Sequence, residues 1–175
     1  MARTLLITGR PGVGKTTVIQ KISELLGQRA GGFYTQEMRG PGGRKGFRLI
    51  TLPAGGPEAV MAHVDIRSRN RVGRYGVDVA ALDSVGVAAI RAAIQSRDVI
   101  VVDEIGKMEM LSGEFRGAVL KAMSSGKIVV ATVMQQNHDW VVALKGMPQV
   151  TVWHIAESNR DEMPARVIKW IEGKT

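Results

Sequence analysis

The stretch Gly9-Arg-Pro-Gly-Val-Gly-Lys-Thr16 carries most of the information about the fold of this sequence. It matches the pattern G-x-x-x-x-G-K-[ST] of a phosphate-binding loop, the Walker A motif, whose glycines let backbone N–H groups turn inward around a polyphosphate. In this motif the side chain of Lys15 reaches the β- and γ-phosphates, and the hydroxyl group of Thr16 binds Mg²⁺. We therefore predict nucleotide contacts from Gly9, Arg10, Pro11, Gly12, Val13, Gly14, Lys15, Thr16 and Thr17.

The residues on both sides of this loop have the patterns that the motif requires. Thr4–Thr8 is a short apolar run typical of a strand, and Gly27 is suited to end the helix that follows the loop. The apolar residues at helical spacing in that helix are Val18, Ile19, Ile22, Leu25 and Leu26. Bound phosphates would lie at the N-terminus of this helix, where free N–H groups and the helix dipole favour an anion.

Length and composition limit the class of protein. A chain of 175 residues is long enough for one domain with a sizeable core, and we predict a single domain over residues 1–175. We expect no membrane span, and Gly9 and Arg10 interrupt the N-terminal apolar run too early for a secretory signal. The absence of cysteine excludes disulfides and thiolate metal sites. It fits a cytoplasmic protein, for which we expect a monomer.

The net charge of +8 is unevenly distributed, with many basic residues between Glu37 and Tyr75. They are Arg39, Arg44, Lys45, Arg48, Arg67, Arg69, Arg71 and Arg74. A solvated surface explains most of them, and an arginine-rich cover over a triphosphate is the functional explanation. Nucleic-acid binding is the least favoured, because the few aromatic residues do not alternate with the basic ones as a stacking platform requires.

Strand-like and helix-like patterns alternate, which predicts an α/β fold with a parallel sheet. Extended runs at 33–38 and 47–52, separated by a Pro/Gly turn, predict a β-hairpin. We then expect a short strand at 58–64 and an exposed loop at 65–78. The remaining predicted elements are helices at 83–95, from Ser112 as N-cap, at 138–145 and from Asp161, with strands at 99–102, 128–133 and 150–155.

The run Val99-Ile-Val-Val102 followed by Asp103 has the Walker B pattern. Its carboxylate binds Mg²⁺, directly or through a water molecule, at the carboxyl end of a strand, where ligands of open α/β sheets gather. An apolar strand that ends in Asp is common, so the pattern is informative only because a Walker A loop precedes it. Thr16 and Asp103 are therefore the predicted metal ligands.

Glu104 indicates the type of reaction. A carboxylate directly after the Walker B aspartate can activate a water molecule for in-line attack on the γ-phosphorus, which favours hydrolysis over transfer to a bound acceptor. The alternative is a surface ion pair. We predict Glu104 and Lys15 as catalytic residues.

Other polar residues are less informative. If the strand of Thr132 lies between the two Walker strands, its hydroxyl group can contact the γ-phosphate or the attacking water; otherwise it is an ordinary strand residue. Lys107 either reaches the phosphates or is solvated. The three histidines (His63, His138 and His154) are not spaced as metal ligands and are interpreted as structural or exposed.

Together these segments resemble one family, the small THEP-type nucleoside-triphosphatases. The shared landmarks cover most of the chain: 9–17, Gly32-Phe-Tyr-Thr-Gln-Glu37 with Arg39, Gly43-Arg44 with Gly46-Phe47, Gly73-Arg-Tyr-Gly-Val-Asp78, Asp103-Glu-Ile-Gly-Lys-Met-Glu109, and Asn159-Arg160-Asp161. The segment Asp103–Glu109 is the most distinctive, because general ATPases and nucleotide kinases usually lack it.

The resemblance implies a three-layer α/β fold of the P-loop NTPase class. It would be RecA-like, of the additional-strand, catalytic-glutamate type, with a mainly parallel sheet and a small β-hairpin. It also implies Mg²⁺-dependent hydrolysis of ATP, GTP and other nucleoside triphosphates with broad base preference, and a contact of Asn159 and Arg160 with the base or ribose. Two alternatives stay open: a small P-loop kinase for a nucleoside or metabolite, and a nucleotide-switched RNA-binding module.

Overall fold

A computed structural model describes residues 2–174, and a nine-stranded sheet forms its centre. The strands are β1 (Arg3–Thr8), β2 (Ala30–Gly40), β3 (Gly43–Leu52), β4 (Glu58–His63), β5 (Arg71–Val72), β6 (Tyr75–Val77), β7 (Val99–Ile105), β8 (Ile128–Val133) and β9 (Val150–His154). The helices are α1 (Lys15–Leu26), α2 (Val79–Ala81), α3 (Ala88–Ser96), α4 (Gly113–Ser124), α5 (Asp139–Lys145) and α6 (Met163–Ile171).

Five strands form a parallel half of the sheet in the order β2-β7-β8-β1-β9. β8 lies between β1, which leads into the Walker A loop, and β7, which carries the Walker B residues. This is the additional strand predicted for the RecA-like type. The three central strands β7, β8 and β1 are rich in continuous apolar residues because helices cover both of their faces.

The other half of the sheet is antiparallel and larger than the small hairpin that we predicted. β2 pairs with β7 on one edge and with β3 on the other, and β4, β6 and β5 follow in that order. The hairpin strands extend to eleven and ten residues because Gly42 and Gly43, with φ of 81° and 107°, allow a tight reversal directly after Gly40. The sheet is therefore mixed rather than mainly parallel.

Helices on both faces complete three layers, which confirms the predicted fold class. α1 and α6 cover one face, over an apolar cluster that includes Leu5, Ile7 and Val101. α3, α4 and α5 cover the other face, where the rings of Phe33 and Phe115 lie 6.3 Å apart between centroids. The predicted N-cap is confirmed, since Ser112 accepts a hydrogen bond from the Phe115 N–H group at 3.0 Å.

The prediction of an exposed loop at 65–78 is wrong, because this segment contains the short hairpin of β5 and β6. Tyr75 and Val77 are buried there, and Ala62 of β4 pairs with Val77. Strands of two and three residues are too short for a visible alternation of apolar and polar side chains. They are stabilised by the neighbouring strand instead.

The helical stretch Val79–Ser96 also differs from the prediction. α2 continues through a π-helical segment (Leu82–Val87) into α3, so the helix begins four residues earlier than expected. Among the described residues it is the one stretch that is long and apolar enough to cross a membrane, a criterion that core helices also meet. The sequence pattern did not indicate the full length of this helical stretch, because much of the apolar character of the stretch comes from alanines. Leu82, Val87 and Ile90 of this stretch are fully buried against the sheet.

Candidate nucleotide-binding site

The Walker A loop connects the carboxyl end of β1 to the first turn of α1. Gly12 and Gly14 have φ of 77° and 113°, conformations that L-residues with a side chain rarely adopt, so glycine is required at both positions. Gly14 is the N-cap of α1 and has no side chain to cap the helix. The N–H groups of the first turn are therefore directed out of the helix without a side-chain acceptor, as an anion site requires.

Lys15 is the buried cation of this site. Its side chain is largely covered, and its ammonium group donates a hydrogen bond to the carbonyl oxygen of Gly9 at 2.8 Å. The same ammonium group lies 3.2 Å from Oε1 of Glu104. Lys15 thus joins the start of the Walker A loop to the residue that follows the Walker B aspartate.

Asp103 is buried, and hydroxyl groups from the helix α1 and the strand β8 donate hydrogen bonds to its carboxylate. Its Oδ2 accepts a hydrogen bond from Thr16 at 2.9 Å, and its Oδ1 accepts one from Thr132 at 2.6 Å. The N–H group of Thr35 lies farther from Oδ2, at 3.4 Å. The two predicted metal ligands are therefore adjacent, and Thr132 lies beside them.

A β-bulge aligns these side chains. Val102 lies opposite Ala131 and Ile105 lies opposite Val133, so Asp103 and Glu104 together face the single residue Thr132. The peptide bond between Asp103 and Glu104 is cis. The bulge directs Asp103 to the threonine hydroxyl groups and Glu104 to Lys15.

The electrostatics of the site are those of acids removed from water. Burial raises the pKa of Asp103, and the hydrogen bonds from Thr132 and Thr16 act against this rise. Burial also raises the pKa of Glu104; the ammonium group of Lys15 acts against this rise, while the charge of Asp103 adds to it. A cationic ligand would therefore be attracted to this pair of carboxylates.

The oxygen atoms of Asp103 and Thr16 suit a hard divalent cation such as Mg²⁺, which prefers carboxylate and hydroxyl oxygens. The described residues contain no group of three or more His, Cys, Asp and Glu side chains that could surround a metal ion. This fits Mg²⁺ in nucleotide sites, because that ion usually takes one or two protein ligands and completes its shell with phosphate and water oxygens.

Glu109 is a residue of the site that the sequence analysis did not select. It is 6% exposed and lies in the 3₁₀ turn (Glu109–Leu111) after β7. A methyl group placed on Gly106 would lie 3.1 Å from Oε2 of Glu104 and 3.1 Å from Oε2 of Glu109. The available signal was an acidic residue flanked by Met108 and Met110, which is unusual for a solvated position.

Burial raises the pKa of Glu109 to about 8, and the charges of Glu104 and Asp103 add to the rise. Backbone N–H groups of Glu109 and Gly106 act in the opposite direction. The carboxyl group of Glu109 is therefore mainly protonated at neutral pH. It is thus a neutral group close to the turn that Glu104 also borders.

Asn159 and Arg160 lie in the loop after β9, beside the Walker A loop. Asn159 is used by its own turn, since its Oδ1 accepts from the N–H group of Ala156 at 2.9 Å and its Nδ2 donates to the carbonyl oxygen of His154 at 3.0 Å. Arg160 donates to the carbonyl oxygen of Val13 at 3.3 Å. A cleft of about 230 Å³ lies there, lined by Gly14, Thr17, Val18, Lys21, Arg160, Asp161 and Pro164.

A larger cleft, of about 510 Å³, lies at the opposite end of the sheet, between the loop after β3 and α3. Its lining includes Pro53, Ala88 and Arg97 and none of the predicted site residues. Its size therefore does not make it the chemical site, because the predicted phosphate-binding, metal-binding and catalytic residues are all at the other end.

The basic residues between Glu37 and Tyr75 are mostly engaged with one another and with neighbouring groups. Glu37 forms ion pairs with Arg39 at 2.8 Å and Arg44 at 3.1 Å. Burial alone would raise the pKa of Glu37, but hydrogen bonds from Arg44 and Arg39 outweigh it and keep the pKa low. Arg44 also donates to the hydroxyl group of Tyr75 at 3.0 Å. These contacts favour the structural explanation for Arg39 and Arg44.

Four further residues that the sequence singled out, one lysine and three histidines, make none of the hydrogen bonds of the site. Lys107 is exposed, and His138 caps α5 by accepting from the N–H group of Trp140 at 3.2 Å. His63 lies 3.5 Å from Asp65, and His154 is an exposed residue of the edge strand β9. The exposure of Lys107 and the capping role of His138 give no support for a phosphate-binding role.

Comparison with known proteins identifies extended similarity. Residues 4–168 match the family model NTPase_1, which describes an NTPase. The chain is 48% identical over 159 residues to the nucleoside-triphosphatase THEP1 of Thermotoga sp. (strain RQ2), covering 91% of this chain and 90% of the relative. It is 40% identical over 176 residues to the protein of the same name from Thermofilum pendens, covering 97% and 96%.

Two solved structures are similar over nearly their whole length. One is the crystal structure of THEP1 from the hyperthermophile Aquifex aeolicus, with a TM-score of 0.87 and 36% identity, covering 97% of this chain and 99% of that one. The other is the solution structure of a human cancer-related nucleoside triphosphatase, with a TM-score of 0.83 and 32% identity, covering 99% and 100%.

Proposed function

This chain belongs to the NTPase family that includes the THEP1 nucleoside-triphosphatases, and on that premise we propose that it hydrolyses nucleoside triphosphates to nucleoside diphosphate and phosphate. One observation carries the mechanistic part of the proposal. The ammonium group of Lys15, the Asp103 carboxylate and the Glu104 carboxylate converge at the carboxyl ends of β1, β7 and β8. A phosphate-binding cation, a metal-binding carboxylate and a base are the groups that this reaction requires.

The Walker A loop binds the phosphates in this proposal. The N–H groups of residues 9–17 surround the β- and γ-phosphates, and the Lys15 ammonium group neutralises their charge. Lys15 is already buried and directed into the loop by its hydrogen bond to Gly9. Little side-chain entropy then has to be lost when the triphosphate binds.

Asp103 and Thr16 are the residues that would hold Mg²⁺. When bound, the ion would neutralise charge on the β- and γ-phosphate oxygens. Thr132 keeps the Asp103 carboxylate in place through its 2.6 Å hydrogen bond to Oδ1. This leaves Oδ2, which faces Thr16, as the oxygen nearest to the predicted metal position.

Glu104 activates the attacking water. The water gives a proton to the Glu104 carboxylate while its oxygen forms a bond to the γ-phosphorus, the bond between the γ-phosphorus and the bridging oxygen breaks, and the nucleoside diphosphate leaves. The side chain of Glu104 is 29% exposed, so water can reach it, whereas Asp103 is closed off from solvent. This difference supports the base role for Glu104.

The base and ribose occupy the cleft between α1 and the loop 156–161 in the proposed complex. Arg160 and Lys21 supply polar groups on its wall, and Asn159 keeps the loop in shape through its two backbone hydrogen bonds. The residues that line the cleft include no aromatic side chain to select one base by stacking. We therefore infer broad base preference, with ATP and GTP among the substrates.

We propose that residues 1–175 form one nucleoside-triphosphatase domain, because a single sheet carries both Walker segments. We also propose that the protein is a cytoplasmic monomer, with which the absence of cysteine is compatible.

Phosphate release from ATP and from GTP, measured with water as the sole acceptor and with Mg²⁺ added, tests the proposal. We expect turnover by the wild type and a loss of about 10²- to 10⁴-fold in kcat for Glu104→Gln, with nucleotide affinity retained. Glu114→Gln is the matched control, because Glu114 is exposed and pairs with Arg91 of α3 rather than with a residue of the site. Equal phosphate release by wild type and Glu104→Gln would refute the base assignment.

A further inference from the structure

The two oxygens of the Glu104 carboxylate have different neighbours. Oε1 lies 3.2 Å from the ammonium group of Lys15. Oε2 is directed to the other side, toward Gly106, where a methyl group would approach it to 3.1 Å. The carboxylate is therefore bounded by a cation on one side and by the Gly106–Glu109 turn on the other.

Glu109 is the polar group on that second side. Its Oε2 approaches the same point beside Gly106 to the same distance, 3.1 Å, as Oε2 of Glu104. The ends of both carboxyl groups thus border the space beside Gly106, and a larger residue there would crowd them. Hydrogen bonds fix the turn, with the Met110 N–H group donating to Gly106 at 3.0 Å and the Ser112 N–H group donating to Glu109 at 3.1 Å.

We propose that Glu109 is a positioning residue for hydrolysis: its carboxyl group, buried behind Gly106, holds the Glu104 carboxylate in the orientation that receives the proton of the attacking water. The inference rests on the proposed function, since Glu104 acts on water only in that reaction. Two neighbouring carboxyl groups are stable together when one of them carries a proton, because two adjacent negative charges repel.

The charges around Glu109 favour this state. Glu104 and Asp103, both from β7, disfavour a charge on Glu109. The ammonium group of Lys15 contacts Glu104, Lys107 in the same turn is exposed, and Asp83 is hydrogen bonded to Ser112. Glu109 is thus a neutral donor at neutral pH, and it ionises when the pH rises above about 8.

Substitutions of Glu109 separate a positioning role from a merely structural one. Glu109→Gln keeps a neutral N–H donor of similar size, so we expect it to retain most of kcat. Glu109→Ala removes the donor and should lower kcat by up to about 100-fold, with nucleotide affinity unchanged, because a small misplacement of a catalytic group has an effect of that order. Glu114→Gln and Glu114→Ala, at an exposed position, are the matched controls.

The pH profile of kcat gives a second readout. The wild type should lose activity as pH rises through about 8, since an ionised Glu109 repels Glu104 and the triphosphate. Glu109→Gln has no such ionisation and should keep its activity over the same range. A structural role alone predicts no such difference between the two proteins.

A third variant changes the space beside Gly106 that both carboxyl groups border. Gly106→Ala introduces a methyl group 3.1 Å from Oε2 of Glu104 and from Oε2 of Glu109, so both oxygens should shift and kcat should fall even when the protein is folded. If Glu109→Ala fails to fold, the pH profiles of the wild type and of Glu109→Gln still test the proposal.

The outcomes distinguish this inference from the proposed function. No phosphate release by the wild type, or none that depends on Glu104, refutes the proposed function. Turnover that depends on Glu104 but is unchanged in Glu109→Ala and Gly106→Ala, or an alkaline decline that persists in Glu109→Gln, overturns only the role of Glu109. A Glu109→Gln variant as inactive as Glu109→Ala also overturns it, because a charged Glu109 would then be the required form.

Discussion

The ammonium nitrogen of Lys15 lies 3.2 Å from Oε1 of Glu104 and connects the two Walker segments of the chain. The pair joins the first turn of α1 to the end of β7, which are separated by about half of the 175-residue sequence. A triphosphate that enters the loop brings negative charge to this ammonium group. In the proposed complex Lys15 would then interact both with the phosphates and with Glu104, the proposed base.

Replacing Lys15 tests this double role. Lys15→Met keeps the length of the side chain but removes its charge, so we expect a large loss of nucleotide affinity and no measurable turnover. Isothermal titration calorimetry with a non-hydrolysable triphosphate measures the affinity, and a phosphate-release assay measures the turnover. Lys121→Met, at an exposed position of α4, is the control. Normal turnover by Lys15→Met would contradict the whole site.

Thr132→Val tests the support of Asp103. The change keeps the shape of the side chain and removes the 2.6 Å hydrogen bond to a buried carboxylate, so we expect a loss of about 2 kcal/mol in the free energy of unfolding. Turnover should also require more Mg²⁺. Denaturant unfolding and a Mg²⁺ titration of phosphate release measure these effects.

Thr4→Val is the matched control for that substitution. Thr4 is also fully buried, on the neighbouring strand β1, but its hydroxyl group has no hydrogen-bond partner among the described residues. Its replacement should leave the protein equally stable or more stable, because an unpaired buried hydroxyl group is unfavourable. Equal destabilisation by Thr4→Val and Thr132→Val would show that the hydrogen bond to Asp103 contributes nothing.

The raised pKa of Glu109 predicts a pH dependence of stability. Between its ordinary value of 4.5 and about 8, the folded protein keeps a proton that the unfolded chain releases. The contribution of this group is therefore complete below pH 4.5 and is lost as pH rises to about 8, with a slope of up to about 1.4 kcal/mol per pH unit. Glu109→Gln should make the free energy of unfolding less dependent on pH over this range. Urea unfolding at a series of pH values measures this free energy. If it depended on pH equally in the two proteins, Glu109 would not be a buried carboxyl group that stays protonated.

Arg160→Ala tests the cleft beside the Walker A loop. The guanidinium group lines that cleft and donates to Val13, so its loss should raise KM for ATP and GTP alike and leave kcat nearly unchanged. Arg166→Ala is the control, because Arg166 lies 4.8 Å from the ring centre of Trp153 instead. Steady-state kinetics with both nucleotides provides the measurement, and an unchanged KM would remove Arg160 from the binding site.

Much of the parallel half of the sheet could be predicted because its signals are local. The glycine spacing of residues 9–16, the apolar run 99–102 and the N-cap Ser112 each depend on a few neighbouring residues. The hairpin of β5 and β6 could not be predicted, since its short strands are stabilised by pairing with β4. For the same reason the sequence did not indicate how far β2 and β3 extend.

The candidate site divides in the same way. The types of residue at Lys15, Thr16, Asp103 and Glu104 follow from motif chemistry, because phosphate, Mg²⁺ and an attacking water each require particular groups at a fixed spacing. The resemblance to a family implied the position of β8 between β1 and β7, but the hydrogen bond of Thr132 to Asp103 and the burial of Glu109 near Gly106 required the tertiary structure. Strand order and the packing of a turn depend on contacts between segments distant along the chain, and burial, which raises the pKa of Glu109, exists only once those segments have come together.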